Sequence, residues 1–530
     1  MIIVMGGGRG RSGLLPVAFV SILSAMMIII ACSNARAGHA PATSPPFRVT
    51  LNDAAFRTHE TDIMKEFIAA HPEFELAEVV TDRKKTVTSG FDYLLTNRMK
   101  APAAYGSGST VSIVPSMHHL THKSLMGRTL ADSPGIAPRS FGIPAEVENL
   151  VTYIREHPEE SENVWVMKEN KHRGQGVTPV YLNQLLGRML VGIQENDGKN
   201  PVVLVQEFVE DQLLLNDLPF TFRVWAVFGG GFNVSRGYVF DGSIVPLGDR
   251  AFSSINTGDR LQLAHDMIVN LFLQDREKAN DPWAIDGEFK RYLNKLTGSD
   301  EAFDFMWERL KSKTARAFAA AVPRMRKDIF KSMQKGLAYH DNGFEVLGFD
   351  FIVDKRYEPY LIEVNHLPSM ARKVPGKKTP GSVFDEQKER FIAGLLTVLR
   401  ETKNKKRAHR MLADQARCPV GSRAIEVMDM VYEAHVASQN GFSVVTTEMY
   451  DELPTHDPSG IVHTLQRWLR RALPEFAVFS GPKDSPRDMY HLDERIRQTL
   501  HAVQTRAAER YESVVLQNLC NSRVELNSEL

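Results

Sequence analysis

The chain has 530 residues, enough for a substantial core and two to four domains. Its 64 Lys and Arg balance 64 Asp and Glu, so no net field draws it to nucleic acid or a membrane, and a charged partner must be met by a local patch. Cys32, Cys418 and Cys520 lie far apart, which excludes a disulfide framework and a cysteine-based zinc site.

At the N-terminus, Arg9 and Arg11 precede an apolar run, Leu14 to Cys32, that ends in Ala35-Arg36-Ala37. This is the pattern of a secretory signal peptide over residues 1–37, or of a membrane anchor if retained. An over-extended gene start is the alternative, because a chain with so few cysteines also fits the cytosol. The compartment therefore stays open. The only membrane contact expected is through this segment.

Residues 47–110 read as a small α/β lobe. Asp62 to Ala70 is an amphipathic helix stopped by Pro72, and Glu78 begins a strand. A stretch rich in Ala, Gly, Ser and Pro, from Ala101 to Thr110, marks the lobe boundary. His118, His119 and His122 have neither cysteine nor acid at ligand spacing, and they read as solvated or core histidines rather than a metal site. Thr121 to Leu130 is a helix carrying Lys123, which reads first as an ordinary surface lysine and is kept as a candidate phosphate contact.

Trp165-Val166-Met167 is an apolar strand ending on Lys168, followed by Gly174-Gln175-Gly176. A strand-anchored lysine beside permissive glycines suits phosphates, although a plain hairpin turn also explains the glycines. Neither a Walker A loop nor a dinucleotide fingerprint is present, because the lysine precedes the glycines. Pro201 to Val209 is a buried strand, and its exit residues Gln206, Glu207, Phe208 and Val209 are candidates to present backbone groups to an adenine edge. Phe220 to Phe228 is another strand with Arg223 inside it, where burial demands an anionic partner: a transferred phosphoryl group or a structural carboxylate.

Asp286 to Tyr292 and Glu301 to Gly336 are helical, the second with a core-facing stripe of Phe303, Met306 and Leu310. Gly343 to Met370 is the most informative stretch. Alternating runs Phe344 to Val353 and Tyr360 to Val364 flank a polar connection and predict a β-hairpin. A loop over Lys355 to Glu358 places Asp350 opposite Glu363, with Asn365 on the same face. Two facing carboxylates between apolar neighbours need a cation, and two acids with an amide oxygen suit Mg²⁺. The other explanation is a surface hairpin whose acids meet Lys or Arg. Glu386 to Thr402 is an amphipathic helix, Lys403 to Arg410 a solvated basic linker, and residues 401–530 a helical extension with a basic helix at Arg467, Arg470 and Arg471 and a long helix from Leu492 to Leu516.

Trp165-Val166-Met167-Lys168 with Gly174 and Gly176, Val205 to Val209, the Arg223 strand, Phe344 to Asp350 and Leu361 to Ser369 together resemble the tubulin-tyrosine ligase-like family of the ATP-grasp superfamily. The resemblance implies an α/β (α+β) ATP-grasp domain over residues 111–400, with antiparallel sheets flanking a nucleotide cleft. It implies ATP and Mg²⁺ as cofactors, with Asp350, Glu363 and Asn365 as metal ligands, Lys168 on phosphate, Gln206 to Val209 as adenine hinge and Arg223 on phosphate or substrate. It also implies an ATP-dependent ligase that activates a carboxylate as an acyl phosphate and joins it to a free amino acid, on a protein acceptor such as a tubulin tail. The chain departs from the family pattern at Pro219, Thr221, Val245 and Met267 to Asn270, positions that handle substrate and γ-phosphate. A nucleotide-binding pseudoenzyme and a small-molecule ATP-grasp ligase are the alternatives.

Overall fold

The structure is a computed structural model that describes residues 45–446, except 57–58, 83–89, 97–108, 172–175, 231–234, 256–257, 269–280, 336–342, 375, 416–428, 430–431 and 435. The expected signal peptide or anchor and the two far C-terminal helices lie outside the described residues. Among those described, no helix is long and apolar enough to cross a membrane.

Two compact units result. One holds Pro45–Leu399 with Ala437–Glu452, and the other Met1–Ser44, Arg400–Val436 and Leu453–Leu530. In the first, β1 (Phe47–Leu51), α1 (Asp62–Ala70), β2 (Phe74–Val79), β3 (Tyr93–Leu95) and β4 (Thr110–Val111) build a parallel sheet of order β2-β1-β3-β4. Ile63, Met64 and Ile68 are the buried stripe of α1. Two short helices follow, α2 (His118–Thr121) and α3 (Lys123–Leu130).

A second sheet, of order β5-β8-β6-β7, is antiparallel: β5 (Ser140–Gly142), β6 (Val164–Glu169), β7 (Val177–Tyr181) and β8 (Val202–Glu207). Trp165, Val180 and Val205 pack with Leu150 of α4 (Val147–Glu156) and Met189 of α5 (Leu185–Glu195) in its core. β9 (Leu214–Leu215) and β10 (Leu218–Pro219) form a small antiparallel pair.

The third sheet has seven strands. β11 (Phe222–Gly230) is central, paired on one edge with β12 (Ser235–Phe240) and β13 (Ile244–Val245). Helix α6 (Arg260–Asp266), β14 (Trp283–Ala284), helix α7 (Lys290–Thr297) and the 33-residue helix α8 (Ala302–Gln334) come next in the chain. β15 (Phe344–Val353) pairs with the other edge of β11, and β16 (Pro359–His366) pairs with β15. Phe303, Met306, Leu310, Phe318 and Met325 of α8 are buried in one cluster with Phe228, Phe349 and Phe351, which is why the stripe spaced at three and four residues faces the sheet.

The C-terminal part differs from expectation in two ways. Helix α9 (Val383–Gln415) runs through the basic run expected as a linker, since Lys403 to Arg410 contains no glycine or proline to stop it. β17 (Phe442–Thr446) is a strand within the extension expected to be helical; it pairs antiparallel with β12, and Phe442, Val444 and Val445 are buried. In the second unit, Lys406 Nζ lies 3.8 Å from the Glu433 carboxylate.

Candidate functional site

Three neighbouring strands of the large sheet carry one charged row: Arg223 of β11 stands opposite Asp350 of β15, and Asp350 opposite Glu363 of β16. Directly opposed residues share a face of the pleat. Here that face lines a cleft of about 340 Å³, whose other wall includes Val166, Lys168 and Gln206 to Val209 from the four-stranded sheet. Asn365, two residues past Glu363, lines it too.

The expected pairing of Asp350 with Glu363 is present, but by a different route. Val353 pairs with Pro359, so the turn begins at Asp354, one residue earlier than expected; a bulge between Asp350 and Phe351 skips Ile362 and restores the offset. Asp354 holds the turn. Its buried carboxylate accepts the N–H groups of Arg356 at 2.8 Å and Glu358 at 2.9 Å, with Arg356 Nη2 at 2.9 Å. Burial alone would raise its pKa; these donors outweigh burial and hold it below the usual carboxylate value.

Each carboxylate meets a protein cation. Arg223 forms a two-point pair with Asp350, Nε on Oδ1 and Nη2 on Oδ2 at 2.9 Å, and Asn365 Nδ2 adds a bond of 2.9 Å to Oδ2. Burial opposes the guanidinium charge, but Asp350 and Glu363 offset it and raise the pKa of Arg223. Glu363 Oε1 lies 3.7 Å from Lys123 Nζ. The first reading of Lys123 as a surface lysine is thereby corrected. Its side chain is only 12% exposed, because Glu363 and the loop after β6 close over it, the carbonyls of Lys171 and Glu169 accepting from Nζ at 2.6 and 3.4 Å.

Lys168, the buried cation near the end of β6, donates to Gln206 Oε1 at 2.7 Å and to the bulged Ile362 carbonyl at 3.0 Å. Burial draws its pKa down to about 8 against the attraction of Glu363, and Lys123 adds to the lowering. Gln206 Nε2 in turn donates to Ser140 Oγ at 3.0 Å, so this side chain orients Lys168. The adenine-hinge expectation needs correction at two peptides. The N–H groups of Glu207 and Phe208 donate to the carbonyls of Arg139 and Val164, at 2.9 and 3.0 Å, and are engaged in strand pairing.

Gly174 lies outside the described residues. Gly176 does not line the cleft: its carbonyl accepts the Glu169 N–H at 2.8 Å, its φ is +70°, and a Cβ there would approach Glu169 Cβ to 2.7 Å. It is needed for the β6–β7 hairpin.

Sequence reasoning missed two cleft lysines, Lys373 and Lys388. Lys388 is buried, donates to the Ala371 carbonyl and lies 3.8 Å from the centre of the Phe384 ring; Lys373 Nζ is 3.4 Å from Asp281. No spacing marks either one, since both depend on how the chain folds back after the hairpin. His366 also lines the cleft, its Nδ1 2.6 Å from Oε1 of buried Glu345, whose other oxygen accepts the Val114 N–H at 2.6 Å. Of the positions that depart from the family pattern, Thr221, Met267 and Ile268 line the cleft, Val245 is buried, and Val269 and Asn270 lie outside the described residues.

A family model described as "Tubulin-tyrosine ligase family" matches residues 109–380, just over half of the chain. Tubulin glycylase 3B of Tetrahymena thermophila is 26% identical over 211 residues, covering 39% of this chain and 16% of that protein. A probable beta-tubulin polyglutamylase of the same organism is 23% identical over 312 residues, 54% of this chain and 24% of its own. The chain thus matches less than two thirds of the length of these relatives. Among solved structures, the C-terminal domain of K. lactis Pby1, an ATP-grasp enzyme interacting with the mRNA decapping enzyme Dcp2, aligns at a TM-score of 0.44 and 16% identity, over 68% of this chain and 95% of that one. On the extent of the family match, which takes in the charged row and the cleft residues from Lys123 to Lys373, the chain belongs to the tubulin-tyrosine ligase family.

Proposed function

We propose that the chain is an ATP-dependent carboxylate–amine ligase that joins a free amino acid to a protein carboxylate. The observation that carries this reading is the row Arg223–Asp350–Glu363 set in one cleft with Lys123 and Lys168. Two carboxylates and an amide facing a cleft form an all-oxygen donor set that fits a hard divalent cation. Asp350, Glu363 and Asn365 would hold Mg²⁺, which neutralises phosphate charge when bound with ATP.

Lys168 and Lys123 supply fixed positive charge for the phosphates, and Val166, Ile352 and Ile362 are the apolar lining available to a base. Arg223, which lines the cleft and pairs with Asp350, would stabilise the phosphoryl group in transfer. No protein nucleophile is required. An acceptor carboxylate oxygen bonds to the γ-phosphorus as the bond to ADP breaks; the amine then bonds to the acyl carbon, inorganic phosphate leaves, and the amine's proton passes to it. The relatives named above are a tubulin glycylase and a probable beta-tubulin polyglutamylase, which supports a tubulin tail as the acceptor.

One observation favours a nucleotide-binding pseudoenzyme instead: Pro219, Thr221 and Val245 are uncharged where the family pattern carries charge. Lys373 and Lys388 bring two further lysines to the cleft, which answers the lost cations and leaves the lost acid unreplaced. The deciding experiment is Mg²⁺-dependent ATP turnover with tubulin and a panel of amino acids, read together with the acceptor's mass. Wild type should turn over and shift the acceptor mass, and Glu363→Gln should lose at least roughly 100-fold. ATP binding without turnover under any pairing would leave the pseudoenzyme standing.

A further inference from the structure

The histidine cluster before Lys123 gains an acid that its own stretch of sequence lacks. His118 and His119 of α2 meet Asp328 of α8, with His119 Nε2 2.8 Å and His118 Nε2 3.9 Å from the same oxygen, Oδ2. One ligating atom from each of the three side chains lies within 4.8 Å of the other two. A tetrahedral zinc ion with bonds of 2.0–2.1 Å separates its ligands by roughly 3.4 Å, inside the span of these distances. The two rings are stacked, with centroids 4.8 Å apart.

We propose that His118, His119 and Asp328 form a binding site for a divalent transition metal, with zinc as the fitting ion. Two imidazoles and one carboxylate are a borderline donor set that favours zinc over the hard cations suited to the cleft. Asp328 Oδ1 faces Lys331 at 3.6 Å, which leaves Oδ2 to the histidines, and His118 is exposed enough for water to complete the coordination. Because α2 runs directly into α3, whose first residue is Lys123, the ion would pin the start of the Lys123 helix to α8. The site is structural and stands apart from the Asp350–Glu363 carboxylates, none of which it shares.

Isothermal titration of the full chain with zinc chloride tests this, using Glu363→Gln as the background so that the cleft carboxylate pair is disabled. That background should bind zinc and gain thermal stability. His119→Ala and Asp328→Asn introduced into it should each weaken binding by roughly tenfold or more and abolish the thermal shift. Retained affinity in either double variant overturns the proposal, as does absence of binding in the Glu363→Gln background. Circular dichroism of the metal-free variants separates loss of ligand from loss of fold.

Discussion

Lys168 shows how burial tunes one group toward the phosphate-binding role proposed for it. With its pKa drawn to about 8, it is mostly charged at neutral pH yet holds that charge against a desolvation cost. The sign follows. In the unfolded chain a lysine titrates near 10.4, so between about 8 and that value the unfolded state binds more protons and stability rises with pH; below about 8 the cost is fully present. Phosphate binding runs the other way, because the neutral amine of the free protein has no charge to offer. ATP affinity is therefore expected to hold up to about pH 8 and weaken above it, and Lys168→Arg should flatten that fall, since a guanidinium stays charged. Lys168→Met should lose one charged hydrogen-bonding partner of the phosphates, about 1.5–3 kcal/mol or roughly 10- to 150-fold in Kd, with little loss of stability in the absence of ATP. Fluorescent-nucleotide titrations across pH, paired with urea melts, measure both; an unchanged pH profile in Lys168→Arg removes Lys168 from phosphate binding.

At the scale of the element, the β15–β16 hairpin separates structural from chemical roles among its acids. Asp350 is 15% exposed and makes a two-point pair with part-buried Arg223, so Asp350→Ala leaves a guanidinium without its partner and should cost about 1.5–3 kcal/mol. Glu363 is 33% exposed and lies 3.7 Å from Lys123, so Glu363→Gln should cost about 1 kcal/mol or less. Both should remove Mg²⁺-dependent turnover, which makes Glu363→Gln the clean probe; urea midpoints of the two variants check the contrast, and equal losses of stability would contradict it. The facing of these two acids was legible because period-two alternation survives a miscounted turn when a bulge cancels the error. What was not legible depends on segments distant in sequence. Lys123 is part-covered by Glu363 and the loop after β6, Asp328 reaches the histidines from a helix some two hundred residues on, and the N–H groups of Glu207 and Phe208 are taken by partners on other elements. The strand at Phe442 was hidden because a short apolar run is assigned only by the edge that receives it.

Across the larger unit, the N-terminal lobe holds the segment that follows the cleft's last proposed metal ligand. Glu60 Oε2 accepts Ser369 Oγ at 2.8 Å and the N–H groups of Met370 at 2.9 Å and Ala371 at 3.2 Å. One step on, buried Arg372 donates to Glu66 of α1 and to Glu389 of α9 at 2.8 Å, with Asp385 at 3.6 Å. These links fall within seven residues of Asn365, so the lobe's acids set the position of Ser369 and Ala371, both of which line the cleft. Glu60→Gln keeps the size of the side chain and removes the charge from three hydrogen bonds. It should weaken ATP affinity by roughly tenfold while costing about 1–3 kcal/mol of stability. The exposed acid Glu75 on the same lobe pairs, among the described residues, with Arg48 at 3.8 Å, and Glu75→Gln should change neither quantity. If Glu60→Gln lowers the urea midpoint but leaves ATP affinity at the wild-type value, the lobe supports the fold without shaping the cleft; loss of both, with Glu75→Gln silent, ties the lobe to nucleotide binding through the Ser369–Arg372 segment.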